Sequence, residues 1–258
     1  MKRRIREDRK TDMGLIKDVA ISLLFQEVVP NDKIPFIVHH PFTNSRTVMV
    51  PVASNVVNVN EDGSLALPDI IDIVDDAEGR SRWMNYMKDR IQDCREVWQI
   101  LMMLNKPYYF AFIKFTHNYM SKKDLASVLA HAWVSVEYSN DDANLSPVDI
   151  IELMESVDKR DLMTKDDYES YESLPDNVTV YRGVTKFNEN RCSESLSWTL
   201  DTDVAKFFAN RFNTGTGKIY SKTINKSDIV AYFNTRNEKE IIIRPNSELE
   251  LYSDLTNK

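Results

Sequence analysis

The chain has 258 residues, of which 42% are apolar and 10% aromatic, enough for a packed core and too many for a disordered protein. At about 150 residues a domain, this length favours two small domains. The 33 basic and 40 acidic residues give a net charge of −7, which argues against binding to the DNA phosphate backbone. Residues 137–177 hold thirteen acidic and three basic side chains, whereas residues 178–258 hold ten acidic and twelve basic ones. An anionic small ligand therefore fits the C-terminal third best.

The sequence also carries no sign of secretion or membrane insertion. Its two cysteines, Cys94 and Cys192, are too few for a disulfide framework or a zinc site. No apolar run reaches the roughly eighteen residues of a membrane span. Charged residues interrupt the segment in which a signal peptide would need an apolar stretch. We therefore expect a soluble, cytoplasmic protein.

Residues 1–90 predict a small mixed α/β region. The apolar spacing in residues 13–28 predicts a first helix. Short β-branched runs at 36–38, 47–50 and 55–59, separated by Pro and Asn, predict a small antiparallel sheet.

The middle of the chain predicts helices and one strand. Residues 81–104 predict a single long helix, because large apolar side chains recur there at spacings of three and four. The members of that stripe are Trp83, Met87, Ile91, Cys94, Trp98 and Leu101. The strongly apolar segment 107–115 predicts a strand. Ser121, Ser146 and Thr164 each precede an Asp by three residues, so each is expected to cap the start of a helix.

After residue 176 the pattern becomes mainly that of β-structure, interrupted by one helix over 203–212. The predicted strands cover residues 178–181, 195–199, 218–224, 229–233, 240–243 and 249–251. We expect Phe207, Phe208 and Phe212 to pack the helix rather than to face a ligand.

Several common types of site are not expected. His39 and His40 are adjacent, so on a strand they point to opposite faces and do not share a metal ion. The chain contains neither His-x-x-x-His nor Cys-x-x-Cys, and six glycines leave no Gly-rich phosphate loop. No nucleophile elbow marks a Ser–His–Asp hydrolase. The sequence therefore predicts no metal site.

Three motifs stand in order in the C-terminal third of the chain. One predicted strand ends in Tyr181–Gly183, a second carries Ser197–Thr199 and leads into the helix, and a third begins with Glu238–Glu240. Each motif alone is explained by an ordinary edge or surface position. Together they indicate a site, because an arginine, a hydroxyl group and paired carboxylates are the groups that bind a charged substrate and stabilise charge.

The paired acids and the arginine have specific physical consequences. On an extended strand Glu238 and Glu240 project from one face, where their like charges repel. Such a pair is tolerable on a surface and useful in a site. Arg182 places a guanidinium next to Gly183, whose backbone a ligand can approach closely.

With these motifs the sequence resembles the mono-ADP-ribosyltransferases of the Arg–Ser–Glu class, in particular bacterial and phage-borne members. The phrases LPDNVTVYRGV, SLSWTLD and AKFFANRF carry the likeness, together with the run Ile241–Ile243 after the acids. The resemblance covers about residues 145–258. Ser197-Trp198-Thr199 departs from the Ser-Thr-Ser of many relatives, which leaves open whether Thr199 has a polar role.

The resemblance implies an α+β fold. Its C-terminal part is expected to be a split β-sandwich that holds NAD⁺ in the cleft between two sheets, preceded by helices and a small mixed α/β N-terminal region. Residues 1–90 then form a region of unknown role and residues 91–258 an ADP-ribosyltransferase-like domain. That domain comprises a helical lead-in over 91–175 and an NAD-binding β core over 176–258.

The resemblance also implies a role for each site residue in binding NAD⁺. Arg182 is expected to hold a phosphate or ribose of NAD⁺, and the Gly183 backbone to receive the nicotinamide carboxamide. Thr199 lies in the same motif, and Arg211 at the end of the helix is a candidate second phosphate contact.

The expected catalytic groups are Arg182, Ser197 and the two glutamates. The resemblance implies that Ser197 braces Glu240 and the nicotinamide ribose, and that Glu240 accepts the 2′-hydroxyl of that ribose. Its carboxylate stabilises the positive charge that develops as the bond to nicotinamide breaks. Glu238 orients or deprotonates the acceptor, and residues 232–237 lie where relatives keep a target-recognition turn.

The resemblance therefore predicts an enzyme that transfers ADP-ribose from NAD⁺ to a protein side chain, with arginine as the expected acceptor and nicotinamide as the product. A bacterial or phage effector that modifies a host protein is the expected setting. One alternative is an NAD⁺ glycohydrolase, in which water replaces the acceptor. Another is a catalytically silent protein with this fold. Binding to nucleic acid or membrane is not expected.

Overall fold

The structure is a computed structural model that describes residues 8–51, 68–137, 142–211, 217–245 and 249–255. Over these residues the protein is mixed α/β with several antiparallel sheets. None of the helices in this described part combines the length and the apolar character needed to cross a lipid bilayer.

The chain divides into two compact units, which meet in sequence at Met120 and Ser121. One unit is Lys10–Met120, and the other consists of Met1–Arg9 and Ser121–Lys258. The boundary expected from sequence, residue 90, lies inside a helix of the first unit.

The first unit contains helices and short strands in two small sheets. Its described helices are α1 Met13–Leu24, α2 Ala77–Asp93, α3 Val97–Leu101 and α4 Tyr109–Thr116. Its described strands are β1 Val29–Pro30, β2 Ile37–His40, β3 Thr43–Ser45, β4 Thr47–Val50 and β5 Asp69–Asp72. β1, β2 and β3 form one antiparallel sheet, and β4 pairs with β5 in another. The predicted helix and antiparallel strands are confirmed, but in two sheets rather than one; the run 55–59 lies outside the described residues.

The long helix predicted over 81–104 is wrong, because the chain leaves the helical conformation at Cys94. Cys94 has a ψ of 136°, and α3 starts anew behind Glu96, whose side chain and that of Gln99 form a capping box. The break changes the phase of the apolar stripe. Trp98 is therefore 51% exposed, whereas Cys94 is buried as expected.

The strand predicted over 107–115 is also wrong, since this segment forms a short 3-10 turn followed by α4. Pro107 occupies the first turn, where a missing N–H group costs no hydrogen bond. All residues of Tyr109–Ile113 are buried, so the first part of the helix is apolar on every side, and exposure begins only at Lys114. A short apolar run of this kind has no period that distinguishes a helix from a strand.

The second unit holds a helical group and the largest sheet. Its described helices are α5 Lys122–Ser135, α6 Pro147–Glu155, α7 Lys159–Leu162, α8 Lys165–Glu172 and α9 Thr202–Asn210. Its described strands are β6 Asn177–Val184, β7 Ser197–Thr199, β8 Lys218–Asn225, β9 Ile229–Phe233, β10 Glu240–Ile243 and β11 Glu250–Asp254. Ser121, Ser146 and Thr164 accept the backbone N–H of the Asp three residues on, so all three predicted caps are confirmed.

These six strands form one antiparallel sheet in the order β11-β8-β6-β7-β10-β9. In the described residues β6 and β7 share a single residue pair, Tyr181 with Thr199. By contrast, β6 pairs with β8 over its whole length, from Asn177 to Val184. The sheet therefore consists of two three-stranded halves that diverge at β6 and β7. Helices α6, α7 and α8 contact β9, and α9 contacts β6 and β8.

Glycine at two positions allows α9 to lie directly on β6 and β8. A Cβ atom on Gly183 would stand 1.8 Å from the carbonyl oxygen of Ala205, and one on Gly217 would stand 2.1 Å from that of Ala209. Both alanines are fully buried. The helix thus packs through its small residues, and this contact fixes its position beside the end of β6.

The expectation that the phenylalanines pack this helix is wrong for the two that the structure describes. Phe207 is 64% exposed, and Phe208 is half-buried beside it, with the two rings edge-to-face at 5.5 Å. The packing face is taken by Ala205 and Ala209, so the aromatic rings project elsewhere. Phe212 lies outside the described residues.

Candidate functional site

A cleft of about 330 Å³ lies within the second unit, bordered by α5, β6, β7, α9 and the turn before β10. Its volume falls in the range of small-molecule sites. Every residue expected from sequence to act in the site borders it: Arg182, Gly183, Ser197, Thr199, Arg211, Glu238 and Glu240. Another cavity, of about 400 Å³, is lined by residues of α6, β9 and β10 and contains none of them. The three sequence motifs therefore meet in one place.

Glu240 is the buried carboxylate of the cleft. Only 6% of the residue is exposed, and the Ser197 hydroxyl donates a hydrogen bond of 2.5 Å to its Oε1 atom. The strand register explains this contact, because Glu240 pairs with Thr199 and Ile242 pairs with Ser197. Ser197 is therefore the diagonal neighbour of Glu240 on one face of the sheet.

Burial raises the pKa of the Glu240 carboxyl above its ordinary value of 4.5. The hydrogen bond from Ser197 and the positive charge of Arg236 oppose this shift, because both favour the ionised form. The indole of Trp133 also lowers the pKa, and the nearby charge of Glu238 raises it further. Such a perturbed acid in a cleft is typical of functional sites.

Arg182 lies on β6 and borders the same cleft as the two carboxylates. Its Nη1 atom donates a hydrogen bond to the backbone carbonyl of Ser197, and the side chain is half-buried. The arginine thus spans the point at which β6 and β7 diverge. It is held in a fixed orientation while it borders the cleft, which suits it to bind an anionic group by charge-assisted hydrogen bonds.

The middle residue of the Ser-Trp-Thr motif is part of the core. Trp198 is 2% exposed and donates its indole hydrogen to the carbonyl of Ser195 at 3.1 Å. The Lys222 ammonium group lies 4.0 Å from the centre of its ring. Because side chains alternate along a strand, this inward tryptophan leaves Ser197 and Thr199 together on the other face.

Thr199 holds the turn that carries Glu238. Its hydroxyl donates to the backbone carbonyl of Glu238 at 2.6 Å and accepts from the backbone N–H of Asp201 at 3.0 Å. The hydroxyl is therefore engaged with the backbone on both sides. Thr199 borders the cleft, and its contacts are those of a residue that positions a glutamate.

Glu238 and Glu240 reach the same cleft, but not through the extended strand that the sequence predicts. Strand β10 begins only at Glu240, and Lys239 has a positive φ of 43°. The Lys239 ammonium group binds Asp201 at 3.0 Å, away from the two acids. The two acids therefore reach the cleft through a left-handed residue between them, which a spacing of two residues cannot reveal.

Arg236 adds a cation next to the outer carboxylate. Its Nε atom lies 3.5 Å from Oε2 of Glu238, and the two side chains are 42% and 25% exposed. Both border the cleft. The outer acid is thus partly open to solvent and paired with an arginine of its own turn, whereas Glu240 is buried.

The far side of the cleft is formed by the exposed end of α9. Phe207, Phe208 and Arg211 all border it, and the Arg211 guanidinium lies 5.9 Å from the centre of the Phe208 ring. Arg211 is exposed at the C-terminal end of the helix. Together with Arg182 it gives the cleft two cations suited to phosphate groups.

Sequence reasoning missed the contribution of α5 and of the loop after β6. Trp133 and Glu137 border the cleft from α5 and its end, and Thr185 and Asn188 from that loop. Trp133 belongs to an ordinary apolar helix stripe, so no motif distinguishes it from a core residue. Arg236 lies in the turn that the resemblance singled out, but its own position beside Glu238 depends on the fold of that turn.

The groups of the cleft define what chemistry it supports. A buried, hydrogen-bonded carboxylate stabilises a positive charge that develops beside it, and fixed cations bind an anion in front of it. No group of three or more His, Cys, Asp or Glu side chains suited to a metal ion occurs in the described ranges. The geometry of the cleft and the order of its motifs carry the functional argument, because comparison of the chain with protein families, curated proteins and solved structures finds no match.

Proposed function

We propose that the protein is a mono-ADP-ribosyltransferase of the Arg–Ser–Glu class, with the cleft as its NAD⁺ site. The observation that carries the proposal is the convergence of three distant motifs. Arg182 bonds to the backbone of Ser197, whose hydroxyl bonds to the buried Glu240. A solvated strand face, the simplest explanation of these acids, would leave Glu240 exposed, whereas it is 6% exposed.

The divergence of the sheet at β6 and β7 supports the split β-sandwich that this class implies. A ligand can enter between two half-sheets that share one residue pair, and the side chains proposed to bind NAD⁺ lie around that point. The cleft also fits the charge of the substrate. Arg182 and Arg211 border it with charges that suit the two phosphates, and the half-buried Phe208 offers an apolar surface.

In the proposed reaction Glu240 accepts the 2′-hydroxyl hydrogen bond of the nicotinamide ribose. Its carboxylate stabilises the positive charge that develops on the ribose as the bond from C1′ to nicotinamide breaks and nicotinamide leaves with the electron pair. Glu238 orients the acceptor and takes the proton that it loses when its nitrogen bonds to C1′. An arginine acceptor needs this help because its guanidinium is fully protonated at neutral pH.

The acceptor is proposed to be a side chain of a host protein, modified by a bacterial or phage effector. Incubation with labelled NAD⁺ and a bacterial lysate tests this. We expect label on protein, mapped to arginine, and nicotinamide release that rises when the lysate is added. Nicotinamide release that is equally fast without acceptor would identify an NAD⁺ glycohydrolase instead, and no release at all would identify a silent protein.

A further inference from the structure

Arg236 is a cation of the cleft that the proposed reaction leaves without a role, as it does the acid Glu137. It lies two residues before Glu238, in the turn between β9 and β10, and borders the cleft with it. Its guanidinium has the chemistry of the expected acceptor. It also contacts the carboxylate that is proposed to receive that acceptor, with Nε of Arg236 3.5 Å from Oε2 of Glu238.

The backbone of this turn is firmly held. Asn234 accepts the backbone N–H of Asn237 at 2.9 Å through its carbonyl and that of Lys239 at 3.0 Å through its side chain. The Asn234 N–H in turn donates to the buried Asp167 at 3.1 Å, and Thr199 binds the carbonyl of Glu238. The position of Arg236 beside Glu238 is therefore a property of the turn.

The side chain of Arg236, in contrast, is loosely held. At 3.5 Å the contact with Glu238 is an ion pair without a short hydrogen bond, and 42% of the arginine side chain is exposed. Exposed pairs of this kind contribute little to stability. A guanidinium can instead make two parallel bonds with a carboxylate. A second guanidinium that approaches Glu238 in the better geometry can therefore displace Arg236.

We propose that Arg236 occupies the acceptor subsite as an internal substitute for the acceptor guanidinium, so that a guanidinium ligand binds Glu238 only by displacing it. The identification of this subsite as an acceptor site rests on the proposed function. The exchange itself does not, because it concerns the binding of one cation in place of another. Arg236 thus lowers the affinity of the subsite for a free guanidine by the strength of its own ion pair, a loss that a protein arginine offsets through its other contacts.

Calorimetric titration of the full-length protein with agmatine, a small guanidine, tests the exchange without NAD⁺. Arg236→Ala is expected to bind agmatine about twofold to fivefold more tightly than the wild type, the range that release of one exposed ion pair allows. The double variant Arg236→Ala/Glu238→Gln is expected not to show this increase in agmatine affinity, because the carboxylate that binds the guanidinium is gone. Arg191→Ala is the matched control, because Arg191 forms an ion pair of the same length, 3.5 Å with Glu194, and does not border the cleft.

Unchanged or weaker agmatine binding in Arg236→Ala overturns the proposal, as does a gain that persists when Glu238 is also replaced. Nicotinamide release from NAD⁺ separates this failure from that of the proposed function. If the wild type releases nicotinamide but Arg236→Ala binds agmatine no better, only the exchange is wrong. If Arg236→Ala binds agmatine more tightly but neither it nor the wild type releases nicotinamide, the guanidinium subsite is supported and the transferase proposal fails.

Discussion

The Ser197 hydroxyl donates a hydrogen bond of 2.5 Å to Oε1 of Glu240, and the two residues lie on strands that pair directly. The register of β7 and β10 makes the two residues diagonal neighbours on one face, so the strand pairing itself places their side chains next to each other. The bond therefore exists before any substrate arrives. Its main effect is on the ionisation of a buried acid, and this effect is measurable.

Ser197→Ala tests the influence of this bond on the pKa of Glu240. The bond favours the ionised carboxylate, so its loss moves the already raised pKa of Glu240 further upward. If ionised Glu240 stabilises the reacting ribose, the acid limb of the pH profile for nicotinamide release shifts to higher pH. Ser197→Thr keeps a hydroxyl group and serves as the control. An acid limb that stays in place in Ser197→Ala would show that the bond does not tune this carboxylate.

Glu240→Gln tests the stability cost of the buried acid. The pKa of Glu240 is raised in the folded state, so the folded protein is not penalised for burying this acid below pH 4.5, where the carboxyl is neutral. Stability is lost as the pH rises from 4.5 through the pKa of Glu240 in the folded protein. The glutamine variant avoids this loss, so we expect a higher melting temperature than wild type at pH 7 and a smaller difference at pH 4. Glu250→Gln, at an exposed position, controls for the change in net charge. The expectation is contradicted if the melting temperature of Glu240→Gln minus that of wild type is smaller at pH 7 than at pH 4.

His40 gives the first unit a pH dependence of the opposite sign. The residue is fully buried, its Nε2 lies 3.1 Å from the carbonyl of Leu24, and its Nδ1 accepts the N–H of Phe42 at 3.1 Å. Burial lowers the pKa of His40 below 6.5. The unfolded chain therefore binds a proton that the folded protein does not, and stability that is present above pH 6.5 is lost as the pH falls through the window below it.

We accordingly expect His40→Gln to be less stable at pH 7.5 and to lose less further stability than wild type between pH 7 and pH 5. Urea unfolding at a series of pH values measures both effects. His39→Gln, the same change at an exposed neighbour, is the matched control. If the free energy of unfolding falls equally with pH in His40→Gln and in wild type, other groups cause the loss of stability in acid.

Gly183→Ala tests the close packing of α9 on the sheet. The added methyl group would stand 1.8 Å from the carbonyl oxygen of Ala205, a backbone atom that cannot move without the helix. We expect a loss of at least about 1–3 kcal/mol in the free energy of unfolding. The control is Gly14→Ala, since a methyl group there meets only a side-chain oxygen of Asp12, at 3.3 Å, and no backbone atom. Equal stability of Gly183→Ala and wild type would mean that α9 does not lie as close to β6.

The helix starts and the C-terminal strands are the parts of the fold that local sequence predicts well. Ser146 is an example, because its cap depends on Pro147 and Asp149 alone. The middle of the chain is predicted less well. Cys94 fits the apolar stripe of a continuous helix, and nothing in its neighbours shows that Glu96 begins a new one. A break of this kind depends on tertiary packing, which local propensity does not record.

The residues of the candidate site are easier to predict than their arrangement. Arg182, Ser197 and Glu240 belong to recognisable motifs, and the structure brings them together. The backbone conformation between Glu238 and Glu240 is not predictable in this way, since the positive φ of Lys239 comes from the fold of its turn. Trp133 lies far from the motifs in sequence, and its place beside Glu240 follows only from the packing of α5.

The activities of Glu240→Gln and Glu238→Gln separate the roles of the two glutamates and test the transferase proposal most directly. Glu240→Gln keeps the shape of the side chain and removes the charge that stabilises the reacting ribose. Loss of one preorganised electrostatic group typically costs on the order of 10²–10³ in rate. We therefore expect both transfer to protein and the slow hydrolysis of NAD⁺ to fall by about that factor, as measured by labelled transfer and by nicotinamide release.

Glu238→Gln should differ in kind, because Glu238 lies at the partly open side of the cleft and is proposed to act on the acceptor alone. Transfer to protein should fall sharply while hydrolysis by water continues, since water needs no orientation of a guanidinium. Equal NAD⁺ binding in the two variants, measured by calorimetry, shows that the difference lies in the reaction and not in the fold. If Glu240→Gln cleaves NAD⁺ at nearly the original rate, or if both variants lose transfer alone, the carboxylates do not divide the reaction in this way. Glu240 would then be a buried acid whose burial serves the sheet.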